Sequence, residues 1–384
     1  MPLAFPLEEY GERQAAARGA LRTAGLDGIL LFSQPSKYWL TGYDSFGFVL
    51  FECLLFGADG TLVLLTRPTD LPAARLTSCI EDVRLWRDGG ERHPAEALAE
   101  AIAALGWQGA RLGVEYETWG LTGANAKALD AACDTLCRLE DASRLIARLR
   151  LVKSPAEIAC VRRAAALADS ALDAARALAR PGAWEGEILA AAQSRVLAAG
   201  GDYPGNEFTI ASGPMVFLPR YHSGRRRLDA VDRLVLQLGG VWRHYHAALM
   251  ATLPIGEARP GDQRLFRAMR EAQLAVRNAL RPGRRLSEIY ELYRQTAARH
   301  GLEQACLSAC GYSLGAAFHP TWMDWPWLRP GEDTAAAPGM VFYLHMVVTD
   351  PAADRIMALA ETLLVTEGEA EPLTTAQADY HPQH

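Results

Sequence analysis

Hydrophobic residues in the first third of the chain form short apolar runs separated by amphipathic segments. Apolar and alanine positions recur at helical spacing over 8–24. Strongly apolar runs at 25–33 and 49–65 predict strands, with a turn at Asp59-Gly60 inside the second run. Helix, strand and helix patterns follow in turn at 94–105, 111–116 and 121–133. Strands that alternate with helices predict an α/β domain with a partly parallel sheet.

A long helix is predicted to begin at Pro155. Ser154 is a suitable N-cap, proline is favoured at the first helical position, and Glu157 lies three residues after the cap. We place the domain boundary shortly before this helix. The chain is thereby divided into a first domain over 1–147 and a second domain over 148–384.

The second domain contains an internal repeat. RPGAWEGEI begins at Arg180 and RPGRRLSEI begins at Arg281, and the two segments share five of nine residues. Each is preceded by a long helical pattern and followed by an amphipathic helix. A β-rich stretch then follows, at 207–256 in the first copy and 306–366 in the second. Two such α-then-β units predict a pseudo-twofold domain with a cleft between its halves.

Composition excludes several classes of protein. The 384 residues are 50% hydrophobic, which is ample for the cores of two domains. A net charge of −6 implies no basic face for nucleic acid, and the longest apolar stretch, 46–58, is too short to span a bilayer. The N-terminal segment lacks the charged start and apolar core of a signal peptide. Seven scattered cysteines without a C-x-x-C pair favour free thiols in a reducing cytoplasm.

Seven motifs together resemble the creatinase, prolidase and methionine aminopeptidase family, which has the pita-bread fold. In chain order they are KYWLTGYD (37–44), RLRLVKSPAEI (148–158), GGDYP (200–204), LVLQLGGVWRHYHAALMATLPIG (234–256), GYSLGAAFHPTW (311–322), PGMVFYLH (338–345) and ETLLVTEGEAEPLT (361–374). Their order and spacing cover nearly the whole chain. The resemblance implies a creatinase-like N-terminal α/β domain, followed by a duplicated α/β (α+β) pita-bread domain.

The same resemblance bears on metal binding. Metallopeptidase members of the family hold two divalent metals with two Asp, one His and two Glu. The matching positions here carry, in order, Gln237, Ala248, Tyr312, His345 and Ala360, with Glu361 one place beyond the last. Hard metals need several anionic oxygens that converge. We therefore expect no metal cofactor and no di-metal peptidase mechanism.

Histidines offer an alternative metal site. His244 and His246 are spaced as neighbours on one strand face, and His319 and His345 are candidates to approach the same cleft. A polar strand face at a cleft explains the first pair equally well. We prefer the metal-free interpretation.

Metal-free members of the family are the better comparison. The GYS, GGDYP, R-x-Y-H and WLTGYD segments resemble the ectoine-hydrolase branch, which, like creatinase, cleaves C–N bonds of small amidine or guanidine compounds. The resemblance implies a Glu at the position of Gln237 and an Arg at that of Ala251, and both are missing here. A neutral amide cannot act as a carboxylate nucleophile or base, although it can position a substrate by hydrogen bonds.

Three residues are candidates for catalysis. His222 lies where creatinase-like enzymes carry their general-base histidine, at a spacing two residues shorter than in that pattern, and an imidazole suits proton transfer at neutral pH. His319 matches a second cleft histidine that holds developing negative charge or a substrate carboxylate. Glu361 is the third candidate. The alternatives are an exposed loop histidine beside Arg225 at position 222 and a satisfied, partly buried histidine at 319.

Candidate substrate-binding residues come from four of the motifs and the residues that directly follow them. In the cleft we expect Gln237, His246, Tyr312 and His345. Trp322 and Asp324 belong to the tryptophan-rich stretch 319–327, which could form an aromatic wall for a cationic ligand or pack as an ordinary core. Tyr43 and Phe46 match a loop that, in dimeric relatives, reaches into the partner's cleft. The alternative for that loop is a plain surface turn.

These features predict a metal-independent hydrolase that cleaves a C–N bond in a small polar metabolite, such as a cyclic amidine, guanidino compound or amide. An altered pseudoenzyme or small-molecule binding protein of the same fold is the alternative, and a metal-dependent Xaa-Pro dipeptidase ranks below both. We expect a cytoplasmic homodimer without cofactor, whose partner is a small-molecule substrate rather than nucleic acid or membrane.

Overall fold

The computed structural model describes residues 3–89, 92–218, 224–375, 377 and 379–381. The chain divides into two compact units, Met1–Arg150 and Leu151–His384. Sequence analysis placed this division between residues 147 and 148. No helix in the described ranges is long and apolar enough to cross a membrane.

The first unit is built on a six-stranded sheet. Its strands are β1 (Gly28–Leu31), β2 (Cys53–Gly57), β3 (Leu62–Thr66), β4 (Asp82–Leu85), β5 (Arg111–Val114) and β6 (Arg138–Asp141). They lie in the order β4-β3-β2-β1-β5-β6. The β3–β4, β1–β5 and β5–β6 pairs are parallel, and the other two pairs are antiparallel. The predicted partly parallel sheet is confirmed.

Helices cover both faces of this sheet. They are α1 (Leu7–Ala24), α2 (Gln34–Thr41), α3 (Leu71–Thr77), α4 (Pro94–Ala104) and α5 (Gly123–Cys133), and α6 (Leu145–Leu151) crosses the division between the units. Alternate residues of β1 enter two different cores. Leu30 packs in the core that contains residues of α4 and α5, whereas Ile29 and Leu31 pack in the core that contains residues of α1 and α2.

The second unit contains an eight-stranded sheet with four helices. The helices are α7 (Pro155–Leu178), α8 (Glu185–Ala198), α9 (Pro260–Ala279) and α10 (Leu286–Arg299). The strands are β7 (Thr209–Ser212), β8 (Asp232–Trp242), β9 (Tyr245–Ile255), β10 (Gly311–Ser313), β11 (Asp324–Trp327), β12 (Val341–Asp350), β13 (Arg355–Leu364) and β14 (Glu371–Pro372). The sheet order is β11-β10-β12-β13-β9-β8-β7, and β14 pairs with β13.

The predicted repeat is confirmed by the order of elements. Helices α7 and α8 precede the β8–β9 hairpin, and α9 and α10 precede the β12–β13 hairpin. Both RPG segments lie between their helices and form equivalent bridges, from Trp184 to Arg227 and from Arg285 to Ala335. Strands β9 and β13 are neighbours, so the two copies join at the centre of the sheet.

The start of α7 follows the predicted capping box. The Ser154 hydroxyl accepts a hydrogen bond from the Glu157 N–H at 3.2 Å, and the Glu157 carboxylate accepts one from the Ser154 N–H at 2.9 Å. The second Glu157 oxygen accepts from the Tyr245 hydroxyl at 2.7 Å. The cap therefore also ties α7 to the first residue of β9.

Two threonine hydroxyls connect β9 and β13 where the repeats join. The Thr252 hydroxyl accepts from the Ala358 N–H and donates to the Ala358 C=O, both at 3.0 Å. The Thr362 hydroxyl does the same with Ala248, at 2.9 and 2.7 Å. Each side chain thus takes the place of a direct backbone pair. All four backbone groups are satisfied although the strands do not pair there directly.

Candidate functional site

One row of side chains crosses the sheet of the second unit. Successive Cα partners run from Thr209 to Gln237, Met250, Ala360 and His345, on strands β7, β8, β9, β13 and β12. Residues that pair directly across a sheet point to the same face. These five side chains therefore share one face, opposite the face on which Tyr245 contacts α7.

The two remaining motif positions lie on the same face. Ala248 pairs with Gly239, two residues along β8 from Gln237, and Tyr312 pairs with Tyr343, two residues before His345. Successive residues of a strand alternate between faces, so a spacing of two keeps the face. All five positions at which the resemblance implied metal ligands are gathered on one surface, and none carries a carboxylate.

A cavity of about 370 Å³ lies on this face, within the second unit. Its polar lining consists of Asn206, Thr209, Gln237, Ser308, Tyr312, Tyr343, His345 and Thr349. Its other lining residues are apolar and include Val235, Met250, Trp327, Val347, Ile356 and Ala358. No Asp, Glu, Lys or Arg is among the described residues that line it. The volume is at the lower end of the range for small-molecule sites.

His345 is the histidine in the described part of this lining. Its side chain is 8% exposed, and its Nδ1 has no hydrogen-bond partner among the described residues. Burial lowers the pKa of His345 to about 4, because the charged imidazolium is poorly solvated there. The ring is therefore neutral at pH 7. It lies beside the rings of Tyr312 and Tyr343, with centroids 5.9 and 5.7 Å away.

Tyr343 lies two residues before His345 on β12. Its side chain is fully buried, and its hydroxyl lies beside the Gln237 amide. Burial, reinforced by Tyr312, raises the Tyr343 pKa well above its usual value, and the Gln237 amide opposes this. The hydroxyl stays protonated at neutral pH and is a potential donor. Sequence analysis missed Tyr343, although its position two before His345 on an alternating strand points to it.

Trp322 occupies the neighbouring part of the same face. A Cβ on Gly239 would come within 2.7 Å of the Trp322 ring, so the indole lies directly over this glycine. The indole N–H donates to the Tyr312 hydroxyl at 2.9 Å, and the Trp322 backbone N–H donates to the Asn206 side chain at 2.7 Å. Trp322 is completely buried and is a packing residue that holds Tyr312 in place.

Comparison with family models shows two matches. The model of metallopeptidase family M24 matches residues 159–367, which is more than half of the chain. The chain belongs to metallopeptidase family M24. The model of the creatinase/prolidase N-terminal domain matches residues 13–152. Both matches confirm the family resemblance drawn from the motifs.

Relatives of this M24 protein include hydrolases of two kinds. An ectoine hydrolase of Halomonas elongata is 26% identical over 97% of this chain and 96% of its own length. An Xaa-Pro dipeptidase of Pyrococcus furiosus is 25% identical over 61% of this chain and 66% of its own length. The protein is accordingly a member of a hydrolase family.

Solved structures of M24 proteins share its fold. Dipeptidase PepE of Mycobacterium ulcerans is 24% identical, with a TM-score of 0.86 and 99% coverage of both chains. An Xaa-Pro dipeptidase of Bacillus anthracis is 22% identical, with a TM-score of 0.82 over 97% of this chain and 99% of its own. These comparisons confirm the predicted architecture.

Three predicted site residues of this M24 chain line the cavity, and a fourth contacts one of them. Gln237, Tyr312 and His345 line it, and their role in substrate binding stays a prediction. Trp322 lies behind Tyr312. Of the two alternatives for the tryptophan-rich stretch, the placement favours ordinary packing over an aromatic wall. Trp325 packs against the core on the helix-covered face of the sheet, and Asp324 is not among the described lining residues. Trp327 is the member of that stretch that lines the cavity.

His246 does not serve as a substrate ligand. It is completely buried, and both ring nitrogens are bonded: Nδ1 donates to the His244 carbonyl at 2.7 Å, and Nε2 accepts from the Gly205 N–H at 2.8 Å. Burial lowers the pKa of His246 to about 3. The histidine ties the loop around Gly205 to the start of β9. Its predicted role in binding is therefore replaced by a structural one.

The alternative histidine metal site is not formed in the described part of the chain. His244 lies in the β8–β9 turn with a positive φ of 62° and stacks on Phe318 at 4.1 Å, and His319 is exposed and does not line the cavity. No three His, Cys, Asp or Glu side chains among the described residues are placed to hold a metal. The placement of His319 does not support the predicted catalytic role.

Glu361 points away from the cavity. It follows Ala360 on β13, so it faces α9, where Arg277 contacts its carboxylate at 3.3 Å. Burial raises the pKa of Glu361, and Arg277 and Arg270 oppose this. Its second oxygen has no hydrogen-bond partner in the described structure. The placement of Glu361 therefore does not support its predicted catalytic role.

Tyr43 and Phe46 belong to the first unit and differ in exposure. Tyr43 is completely buried, and its hydroxyl donates to the Glu52 carboxylate at 2.7 Å, which also forms an ion pair with buried Lys37 at 2.5 Å. This corrects the predicted substrate-binding role of Tyr43. Phe46 is 67% exposed, and its expected contact with a second chain stays a prediction.

His222, the predicted general base, lies outside the described residues. Leu218, the last described residue before it, lines the cavity. The predicted role of His222 therefore stays a prediction.

Proposed function

We propose that this M24 protein is a metal-independent hydrolase that cleaves a C–N bond in a small molecule held in the cavity. The observation that carries the proposal is the row of motif positions on the cavity face. Gln237, Ala248, His345 and Ala360 stand where the resemblance implies carboxylates, and Tyr312 stands where it implies the ligand histidine. One neutral imidazole, one phenol and one amide do not fit a centre of two hard cations.

The remaining groups suit hydrolysis by positioned hydrogen bonds. Attack of water forms a bond from its oxygen to the carbon of the C–N group, and the C–N bond then breaks. One water proton passes to a base and returns to the leaving nitrogen. Tyr343 and the Gln237 amide are donors for the oxygen that becomes negative. His222 stays the predicted base, because an imidazole with a pKa near 4, as in His345, is a weak base at neutral pH.

Similarity to the ectoine hydrolase supports a C–N bond as the target. That similarity extends over 97% of this chain at 26% identity. The replaced metal positions separate this chain from a metal-dependent peptidase. We extend the proposal to a homodimer in the cytoplasm, supported by exposed Phe46 and by seven cysteines that are all free thiols. A light-scattering mass of one chain at micromolar concentration would contradict the dimer.

The test is a turnover screen on purified protein before and after chelation of metals. The panel contains ectoine, creatine, simple amides, lactams and Xaa-Pro dipeptides, with products measured by mass spectrometry. Turnover that survives chelation supports the proposal. Turnover that appears only with added manganese, cobalt or zinc overturns it.

A variant pair adds specificity to this test. Tyr343→Phe removes a hydroxyl from the cavity and should lower turnover by about 10-fold or more, as expected for loss of a donor to developing charge. Tyr380→Phe removes a buried hydroxyl near Asp262, outside the cavity, and should leave turnover unchanged. Equal turnover of all three proteins would remove Tyr343 from the site.

Non-catalytic binding is the second candidate function. The described cavity lining contains no carboxylate, so it supplies no side-chain nucleophile of that type. Ligand binding without product from any member of the panel would favour this candidate over the hydrolase.

A further inference from the structure

We infer that the cavity accepts an uncharged, largely apolar molecule with one hydrogen-bonding end, such as a carboxamide or lactam on a hydrocarbon group, and discriminates against carboxylates and zwitterions. The inference deepens the proposed function and rests on it only in taking this cavity as the binding site. Sequence analysis expected a small polar metabolite, and the lining favours a less polar one.

The charge balance of the lining is the first argument. Among the described lining residues twelve are apolar and eight are polar but carry no formal charge at pH 7. His345 belongs to the neutral group, since its burial disfavours the imidazolium. A carboxylate or ammonium that enters such a site loses its water and gains no ion-pair partner from these residues. A neutral ligand avoids that cost.

The buried polar atoms of the lining are the second argument. The Nδ1 of His345 is buried without a hydrogen-bond partner in the described structure, and the buried Tyr343 hydroxyl lies beside the Gln237 amide. Buried polar atoms are nearly always paired in native proteins, with protein, water or ligand. Together with the Gln237 amide, these two atoms offer the donor and acceptor groups that one carboxamide needs. They mark the hydrogen-bonding end of the site.

The strand register places an apolar end beside this polar end. Val235 lies two residues before Gln237 on β8, and Val347 lies two residues after His345 on β12. Ala358 pairs with Val347 and extends the same row. Two residues along a strand correspond to about 7 Å. A ligand that fills the site therefore carries its hydrocarbon group about 7 Å from its amide.

These apolar residues form one continuous surface. Val235, Val347 and Ala358 belong to a single buried cluster that also contains Ile356. Such a surface gains free energy only from an apolar partner, because a polar group placed on it would lose its hydrogen bonds to water. The apolar end therefore favours ligands that carry a hydrocarbon group, whichever group binds at the polar end.

The experiment compares matched neutral and charged probes on the full-length protein. The pairs are phenylpropanamide with phenylpropanoate, and valerolactam with aminovalerate, and ectoine and Ala-Pro are added as zwitterions. Calorimetric titration at pH 7.5 should show each neutral probe binding about 100-fold or more tightly than its charged counterpart, the cost of an unpaired buried charge. Equal or tighter binding of phenylpropanoate or ectoine would overturn the inference, and so would failure of both neutral probes to bind.

Mass spectrometry of the same samples separates the inference from the proposed function. Neutral probes that bind without being hydrolysed would remove the hydrolase and retain the inference. Hydrolysis confined to ectoine or Ala-Pro would retain the hydrolase and remove the inference.

A charge introduced into the apolar wall tests the cause of the preference. Ala358→Lys should tighten phenylpropanoate binding by about 10-fold or more, whereas Ala358→Met adds similar bulk without charge and should not. Thr349→Lys, at the partly exposed end of the lining, supplies a second position if Ala358→Lys does not fold. If neither lysine changes the ratio of acid to amide binding, the uncharged lining does not set the preference.

Discussion

Replacement of Thr252 by valine should strongly destabilise the second unit. The threonine is completely buried, and its hydroxyl satisfies both the N–H and the C=O of Ala358 across the junction of the two repeats. Valine has nearly the same shape, so packing at this position is kept. The substitution leaves two backbone groups of Ala358 buried without their partner.

The expected loss follows from these two groups. An unsatisfied buried donor or acceptor costs about 1–3 kcal/mol, so the pair should lower the free energy of unfolding by about 2–6 kcal/mol. Thr252→Ser keeps the hydroxyl and removes one methyl group, for which a loss of about 1 kcal/mol is expected. The serine variant therefore separates the hydrogen bonds from the packing.

The assay is urea unfolding of the full chain, followed by tryptophan fluorescence. Thr296→Val is the matched control, since Thr296 is equally buried but its hydroxyl donates to the Leu292 carbonyl within helix α10 and accepts from the exposed Arg299 side chain. Its loss should stay near 1 kcal/mol. Equal stability of Thr252→Val and Thr252→Ser would refute the reasoning, because the hydroxyl bridge would then contribute nothing.

Three further predictions concern the cavity and its chemistry. Elemental analysis of the purified protein should find less than stoichiometric transition metal, and one or two tightly held ions per chain would contradict this. Gln237→Ala should weaken binding or turnover by about 1–3 kcal/mol, whereas His222→Ala should lower turnover by about 100-fold or more. If Gln237→Glu creates an activity that the wild type lacks, the chain is a disarmed relative. The buried neutral His345 has a pKa lowered to about 4, so its contribution to stability is present above pH 6.5 and is lost as pH falls from 6.5 to 4. Between pH 7 and pH 5 that loss amounts to about 2 kcal/mol, and His345→Asn should remove it in urea titrations at the two pH values.

The fold was largely predictable because its signals are local or repeated. The start of α7 is defined by Ser154, Pro155 and Glu157, which lie within four residues of one another. The RPG segments at Arg180 and Arg281 mark equivalent turns, and equal order of elements around them is visible without any long-range contact. The motifs also place Gln237 and His345 on one surface, as the sheet register confirms.

The exact site was less predictable because side-chain direction depends on where a strand starts. His244 and His246 have the spacing of strand neighbours, but Arg243 and His244 adopt positive φ in the hairpin turn, and the strand begins at Tyr245. The backbone of Gly205 then closes over His246, a contact between segments 41 residues apart in the chain. No local sequence pattern predicts the contact between Gly205 and His246.

The side of the sheet on which Glu361 lies could have been predicted from the sequence. It lies beside Ala360, and alternation along β13 assigns the two residues to opposite faces. A carboxylate one place from the expected position is therefore on the wrong side of the sheet rather than slightly displaced.

The cavity takes its polar groups from both repeats: Gln237 comes from the first copy, and Tyr343 and His345 come from the second. A gene cut between the copies, in the loop that connects β9 to α9, would leave each half with an incomplete site. Ligand that bridges the halves would then act as a cross-link, and its binding energy would appear as affinity between the fragments. Because of the duplicated architecture, binding of a small molecule to this cavity would also hold the two protein fragments together.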